Sequence, residues 1–162
     1  GDRTCELLMY DLAPGVISFL TRAGLTKEGL RDFFQLERIL PDFNLDDFVF
    51  KPYGYSLNGI RGEDYFTIHV TPQETSPYIS FETNLKICEK SQVLLHQILE
   101  ILRPCSFDGM TFNCSREFDF GSTYMKTIHV ADQISVGYDV HFRYYNKRMD
   151  SPEKVYRYKE LI

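Results

Sequence analysis

The chain has 162 residues and a mass of 19.0 kDa, enough for one good core, so residues 1–162 are expected to form a single domain. Its 43% hydrophobic and 25% charged content is ordinary for a globular protein. A net charge of −5 without a stripe of Lys or Arg excludes a nucleic-acid binder, and no apolar run approaches the ~20 residues of a membrane span.

Aromatic residues reach 15%, all Phe and Tyr, which favours strands. Thr4 to Leu12, rich in Leu, Met and Tyr, reads as the first strand; the chain opens directly on it, and further chain is expected upstream. Pro14 and Gly24 bracket a short helix over Gly15 to Ala23. A second helix opens at Thr26 and ends before Pro41, with Gly29 as a weak point. Asp47 to Phe50 is a strand that runs into the Pro52-Tyr53-Gly54 break.

Tyr65 to Thr71 alternates cleanly, with Phe66, Ile68 and Val70 on one face and Tyr65, Thr67, His69 and Thr71 on the other. Tyr78 to Asn84 is the next strand. Ser91 to Leu102 has helical spacing in Leu94, Leu95, Ile98, Ile101 and Leu102, with Ser91 as N-cap and Pro104 beyond the end. Strands follow near Ser106 to Asn113, Thr123 to Val130 and Ser135 to Tyr145, and a polar tail leads to Val155–Ile162. The order β-α-α-β-β-β-α-β-β-β predicts an α+β fold, one antiparallel sheet with helices on one face. TIHVTPQ (67–73) and TIHVADQ (127–133) are near copies, too short to establish a repeat.

The Cys residues at 5, 88, 105 and 114 have no C-x-x-C spacing, so reduced thiols in a cytoplasmic protein are expected rather than a zinc site or a disulfide scaffold. The four His residues are far apart in sequence, and no metal site is expected. His69 stands on the polar face of its strand, and Ser56 precedes it by a turn and a strand. In a hairpin the two can meet, the minimum for proton transfer, although a lone strand His is more often structural. Tyr55-Ser56-Leu57 lacks the G-x-S-x-G elbow of a hydrolase. Phe50, Tyr53 and Tyr55 cluster before Ser56, either as core or as a face that stacks a purine. Asp2, Glu6 and Glu82 are carboxylates on otherwise apolar strands. They either face solvent or hold an amine ligand.

FKPYGYSLNGI, YFTIHVTP and YISFETN, in that order after DRTCELLMYDL, resemble the second half of eukaryotic-type S-adenosylmethionine decarboxylases. Weaker similarity continues through ILRPCSF and GYDVHF, so it spans roughly residues 2 to 146. The resemblance implies a carboxy-lyase of spermidine and spermine biosynthesis, with S-adenosylmethionine as substrate. It implies no metal and a pyruvoyl cofactor made when a zymogen cleaves itself at a Glu-Ser bond. It also implies an αββα sandwich of two similar halves, of which this chain is the C-terminal repeat.

Carried over by motif, Ser56 and His69 become the self-processing pair and Phe50 the aromatic that stacks on adenine. Asp2, Thr4, Glu6, Glu82, Phe112 and Tyr138 become a buried acidic site that binds the activator putrescine in some members. The expected partners are the N-terminal half or beta chain and either a second copy or a paralogue.

Two departures stand out. Gln73 occupies the place of the ribose-binding Glu, and an amide has one acceptor oxygen where a carboxylate has two. Tyr53 replaces a Cys. The pyruvoyl-forming Ser and the proton-donating Cys belong to the family's first half and are not among these residues. An enzyme half, a catalytically inactive regulatory paralogue of the prozyme type and an amine-binding domain all stay open at this level.

Overall fold

The structure is a computed structural model that describes residues 3–73, 76–85, 89–134 and 137–149. Eight strands form one sheet: β1 (Thr4–Tyr10), β2 (Asn44–Val49), β3 (Tyr55–Arg61), β4 (Asp64–Thr71), β5 (Tyr78–Thr83), β6 (Ser106–Phe112), β7 (Tyr124–Ile134) and β8 (Tyr138–Lys147). Their spatial order is β2-β3-β4-β5-β1-β6-β8-β7, and every neighbouring pair is antiparallel. The helices are α1 (Pro14–Leu20), α2 (Lys27–Phe33), α3 (Leu36–Ile39) and α4 (Glu89–Leu102). The α+β architecture is the expected one. Among the described residues no helix is long and apolar enough to cross a membrane.

Period-two alternation sorts the sheet into two unlike faces. One cross-strand row runs from Leu57 through Ile68, Phe81, Leu7 and Gly109 to Arg143 and His129. Its apolar members are all but fully buried, and they pack with Val16, Leu20, Leu30, Phe34 and the Leu94, Leu95, Ile98 and Leu102 stripe of α4. One residue along, the row Asn58, Thr67, Glu82, Glu6, Met110, Phe142 and Val130 lies on the opposite face, which carries no helix among the described residues. The far end of the core is aromatic: Phe107 stacks on Tyr145 at 4.8 Å and meets Phe120 and Tyr124 edge-on at 5.2 and 5.0 Å. Each such pair adds roughly 0.5–1.5 kcal/mol beyond its burial.

Three local expectations need correction. The sequence predicts seven strands; the eighth, β3, is hidden because Ser56, Asn58 and Gly59 read as loop. Gly59 is nevertheless obligatory, because a Cβ there would stand 2.2 Å from Cε1 of the Phe66 ring on the paired strand. The helix expected to run from Thr26 to Pro41 is two helices, broken where Gln35 adopts a left-handed φ of 53°. Thr26 does cap α2, its Oγ1 accepting from Gly29 N at 3.1 Å. Finally, α4 starts at Glu89, so Ser91 lies inside it rather than at its cap. The expected tail element at Val155–Ile162 lies outside the described residues.

The two TIHV copies separate cleanly. In β4, Ile68 and Val70 are core and His69 is on the bare face. In β7 an irregularity between Lys126 and Ile128 makes Thr127 an extra residue and shifts the alternation by one. Ile128 and Val130 therefore fall in the bare-face rows, and His129 joins the helix-face row.

Candidate functional site

The β3–β4 hairpin builds the centre of the site. Arg61 pairs with Asp64 across the two-residue turn Gly62-Glu63, where Gly62 has the positive φ of 62° that such turns favour. Counting back from that turn pairs Ser56 with His69, and both side chains emerge on the bare face. Ser56 Oγ and His69 Nδ1 are 3.0 Å apart, a hydrogen bond in which the hydroxyl donates when Nδ1 is unprotonated. Sequence reasoning placed Ser56 just before a strand; it lies within one, which fixes its position more tightly.

Next to the pair opens a cleft of about 900 Å³, lined by Phe50, Pro52, Tyr53, Gly54, Tyr55, Ser56 and residues 69–73. The 50–54 loop is closed by a hydrogen bond from Phe50 N to Gly54 O at 3.0 Å. Phe50 is 48% exposed and meets Phe48 edge-on, with ring centroids 4.9 Å apart. Tyr53 is 45% exposed. The aromatic cluster seen in the sequence thus divides. Phe50 and Tyr53 are free to contact a ligand, whereas Tyr55 is buried beneath the cleft as core. Gln73 sits exposed at the rim, directly after Pro72.

The Tyr55 hydroxyl donates to Asp47 Oδ2 at 2.7 Å. Asp47 also receives a two-pronged bond from Arg31 (2.8 Å for each prong), and Lys27 lies at 3.4 Å. Those bonds hold the Asp47 carboxyl down at about 2, outweighing the burial that opposes ionisation. This network under the cleft escaped the sequence reading, because its parts lie 8 to 20 residues apart; the available signal was an acid on the inward side of LDDFV.

The acidic group assembles in part. Glu6 and Glu82 are direct cross-strand partners, as are Thr4 and Phe112, and all four lie on the bare face. Tyr138 is on the same face of β8, two residues before Val140, the partner of Phe112. The Tyr65 hydroxyl donates to Glu82 Oε1, a contact sequence reasoning missed. Partial burial and the Glu82 charge push the Glu6 carboxyl above its ordinary value. No ion pair to Glu6 or Glu82 is present among the described residues. Asp2 lies outside them.

Fold and site together define an α+β domain that presents its polar chemistry on the bare side of a single sheet. The family model for adenosylmethionine decarboxylase matches residues 1–158, and the chain belongs to that family. It is 37% identical over 122 residues to the S-adenosylmethionine decarboxylase proenzyme of Drosophila melanogaster, covering 73% of this chain and 35% of the fly protein. The Dictyostelium discoideum proenzyme is 36% identical over 112 residues, covering 68% of this chain and 29% of that protein. A crystal structure of a Trypanosoma brucei AdoMetDC-delta26 monomer aligns with a TM-score of 0.78 at 23% identity, covering 91% of this chain and 66% of that one. The chain therefore spans about a third of the curated relatives it matches.

Proposed function

We propose that this chain supplies half of the active site of a pyruvoyl-dependent S-adenosylmethionine decarboxylase, made as a proenzyme and serving spermidine and spermine synthesis. The observation that carries the reading is the 3.0 Å contact between Ser56 Oγ and His69 Nδ1 at the mouth of an aromatic cleft. When present, the pyruvoyl group supplies a ketone that accepts the substrate amine and takes up the electrons released with carbon dioxide.

The residues in hand suit such a group. His69 can receive a proton at Nδ1 and return it, and Ser56 holds that nitrogen in place, as self-cleavage of a neighbouring chain segment requires. Phe50 offers an exposed ring for adenine, and Gln73 at the rim reaches for the ribose hydroxyls. The bare face is where a second sheet would pack, completing the αββα sandwich and burying Glu6 and Glu82. Two buried carboxylates in register need a cation, so putrescine or basic side chains of the other half would hold them charged.

The test uses the full-length protein. Intact-mass spectrometry is expected to show cleavage with a pyruvoyl-bearing fragment, and labelled substrate is expected to release carbon dioxide. Ser56→Ala or His69→Ala should leave the chain uncleaved. An uncleaved wild-type protein that releases no carbon dioxide overturns the proposal.

Gln73 and the exposed Tyr53 ring support a second reading, an inactive regulatory paralogue. On that reading the protein, inert alone, raises the turnover of an active homologue when mixed with it; no change in turnover removes it.

A further inference from the structure

The bulge at Thr127 brings together two histidines on the side of the sheet away from Ser56 and His69. Uninterrupted alternation from Met125 would have put His129 on the bare face. The extra residue turns it to the helix side, where its Nε2 lies 3.2 Å from Nδ1 of His141, with ring centroids 5.5 Å apart and planes 27° from parallel. The strand position opposite His141 is Ala131, whose small side chain leaves the pair open. Bulges recur where a strand must re-aim a side chain.

Two imidazole nitrogens facing each other at this distance can share one proton or take one metal ion. With metal–nitrogen bonds of about 2.0–2.1 Å, a 3.2 Å separation corresponds to an angle of about 100° at the metal, close to tetrahedral. An ion could replace the shared proton without parting the strands. We propose that His129 and His141 form a two-histidine chelate for a divalent transition ion of the Zn²⁺, Ni²⁺ or Cu²⁺ type, with water completing its coordination.

Imidazole nitrogen suits these ions and not the oxygen-seeking Ca²⁺ or Mg²⁺. Among the described residues no third His, Cys, Asp or Glu joins the pair, so the site is an exchangeable one rather than a structural anchor. The surrounding charges are mixed. Lys126 is tied to Glu117, and Arg143 donates to Thr111 Oγ1 and Ser115 O at 3.2 Å each. Both cations weaken metal binding, and Glu117 offsets part of their effect. The 12-residue spacing of the two histidines hid the pair from sequence reading.

The proposal is independent of the proposed activity. Tag-free full-length protein is titrated with Zn²⁺ and, separately, Ni²⁺ in a calorimeter, alongside His129→Gln and His141→Gln. The expected result is one ion per chain in the wild type, with affinity reduced about tenfold or more in each variant. Circular dichroism of the metal-free variants should match the wild type, and ¹⁵N spectra should show the His129 and His141 ring nitrogens shifting with added Zn²⁺. Binding unchanged by both substitutions, no binding at about 1 mM ion, or ring nitrogens that stay put would each overturn it.

Discussion

Replacing Asp47 by Asn should destabilise the protein by roughly 2–3 kcal/mol, even though the change is nearly isosteric. The Asp47 carboxylate is 1% exposed and accepts from both prongs of Arg31 and from the Tyr55 hydroxyl. An amide keeps one acceptor oxygen and turns its NH₂ toward Arg31, so at least one prong is lost and a donor meets a donor. Arg31 and Lys27 are 35% and 47% exposed at the side chain and recover water, which limits their share to about 1 kcal/mol each. Tyr55 is 2% exposed and recovers none, adding about 1 kcal/mol if its hydroxyl loses its acceptor. Urea denaturation would show this as a lower midpoint with an unchanged slope.

The pH dependence gives a second reading of the same network. The Asp47 carboxyl sits at about 2 against an ordinary 3.8. Its contribution is therefore complete above about pH 4 and is lost as pH falls through about 2. Wild type should lose more stability than Asp47→Asn between those limits. A loss below about 0.5 kcal/mol at neutral pH, or parallel profiles for the two proteins, would refute the reasoning.

Other expectations rest on single contacts. Gly59→Ala forces the Phe66 ring off the β3 backbone and should cost about 1–3 kcal/mol in a thermal melt; a change within about 0.5 kcal/mol would show that the ring moves freely. Gln73→Glu should tighten substrate binding by about 1–2 kcal/mol, read as a lower KM in the processed enzyme, and an unchanged KM would remove Gln73 from the ribose. Glu6→Gln should stabilise the protein at neutral pH when putrescine is absent. The Glu6 carboxyl is raised in the folded state, so its charged form opposes folding above that raised value, and the penalty fades as pH falls through it. A variant that melts below wild type at pH 7.5 would contradict the sign.

Legibility followed locality. Helix α4 is plain in the sequence because its buried stripe repeats every three to four residues, and β4 because its apolar residues alternate without a break. Strand β3 was not legible: Gly59 leaves an inward position empty, and the ring that fills it arrives from Phe66 on the next strand. The helix break at Gln35 and the bulge at Thr127 are backbone choices with no residue type to announce them. Within the site, Ser56, His69, Phe50 and Gln73 were named from motif order, and the structure gathers them around one cleft. Tyr55 stayed open between core and a stacking face, together with Phe50 and Tyr53, because sequence alone does not tell which side of an undetected strand it occupies. Asp47 and Tyr65 were missed for a related reason, since each matters through a partner on another element.

The turn at Gly62-Glu63 acts as the zero mark of a ruler. Ser56 and His69 stand five residues to either side of its closing pair, Arg61 and Asp64, and nothing between them and the turn can correct a miscount. A substitution along either arm leaves the tally intact. One residue inserted or removed inside an arm slides one strand past the other and sends one of the two side chains through to the hydrocarbon side. Length in this hairpin is therefore constrained alongside the identity of its inward residues Leu57, Gly59, Phe66 and Ile68. Engineering of the site must keep the number of residues between Ser56 and His69 as it is.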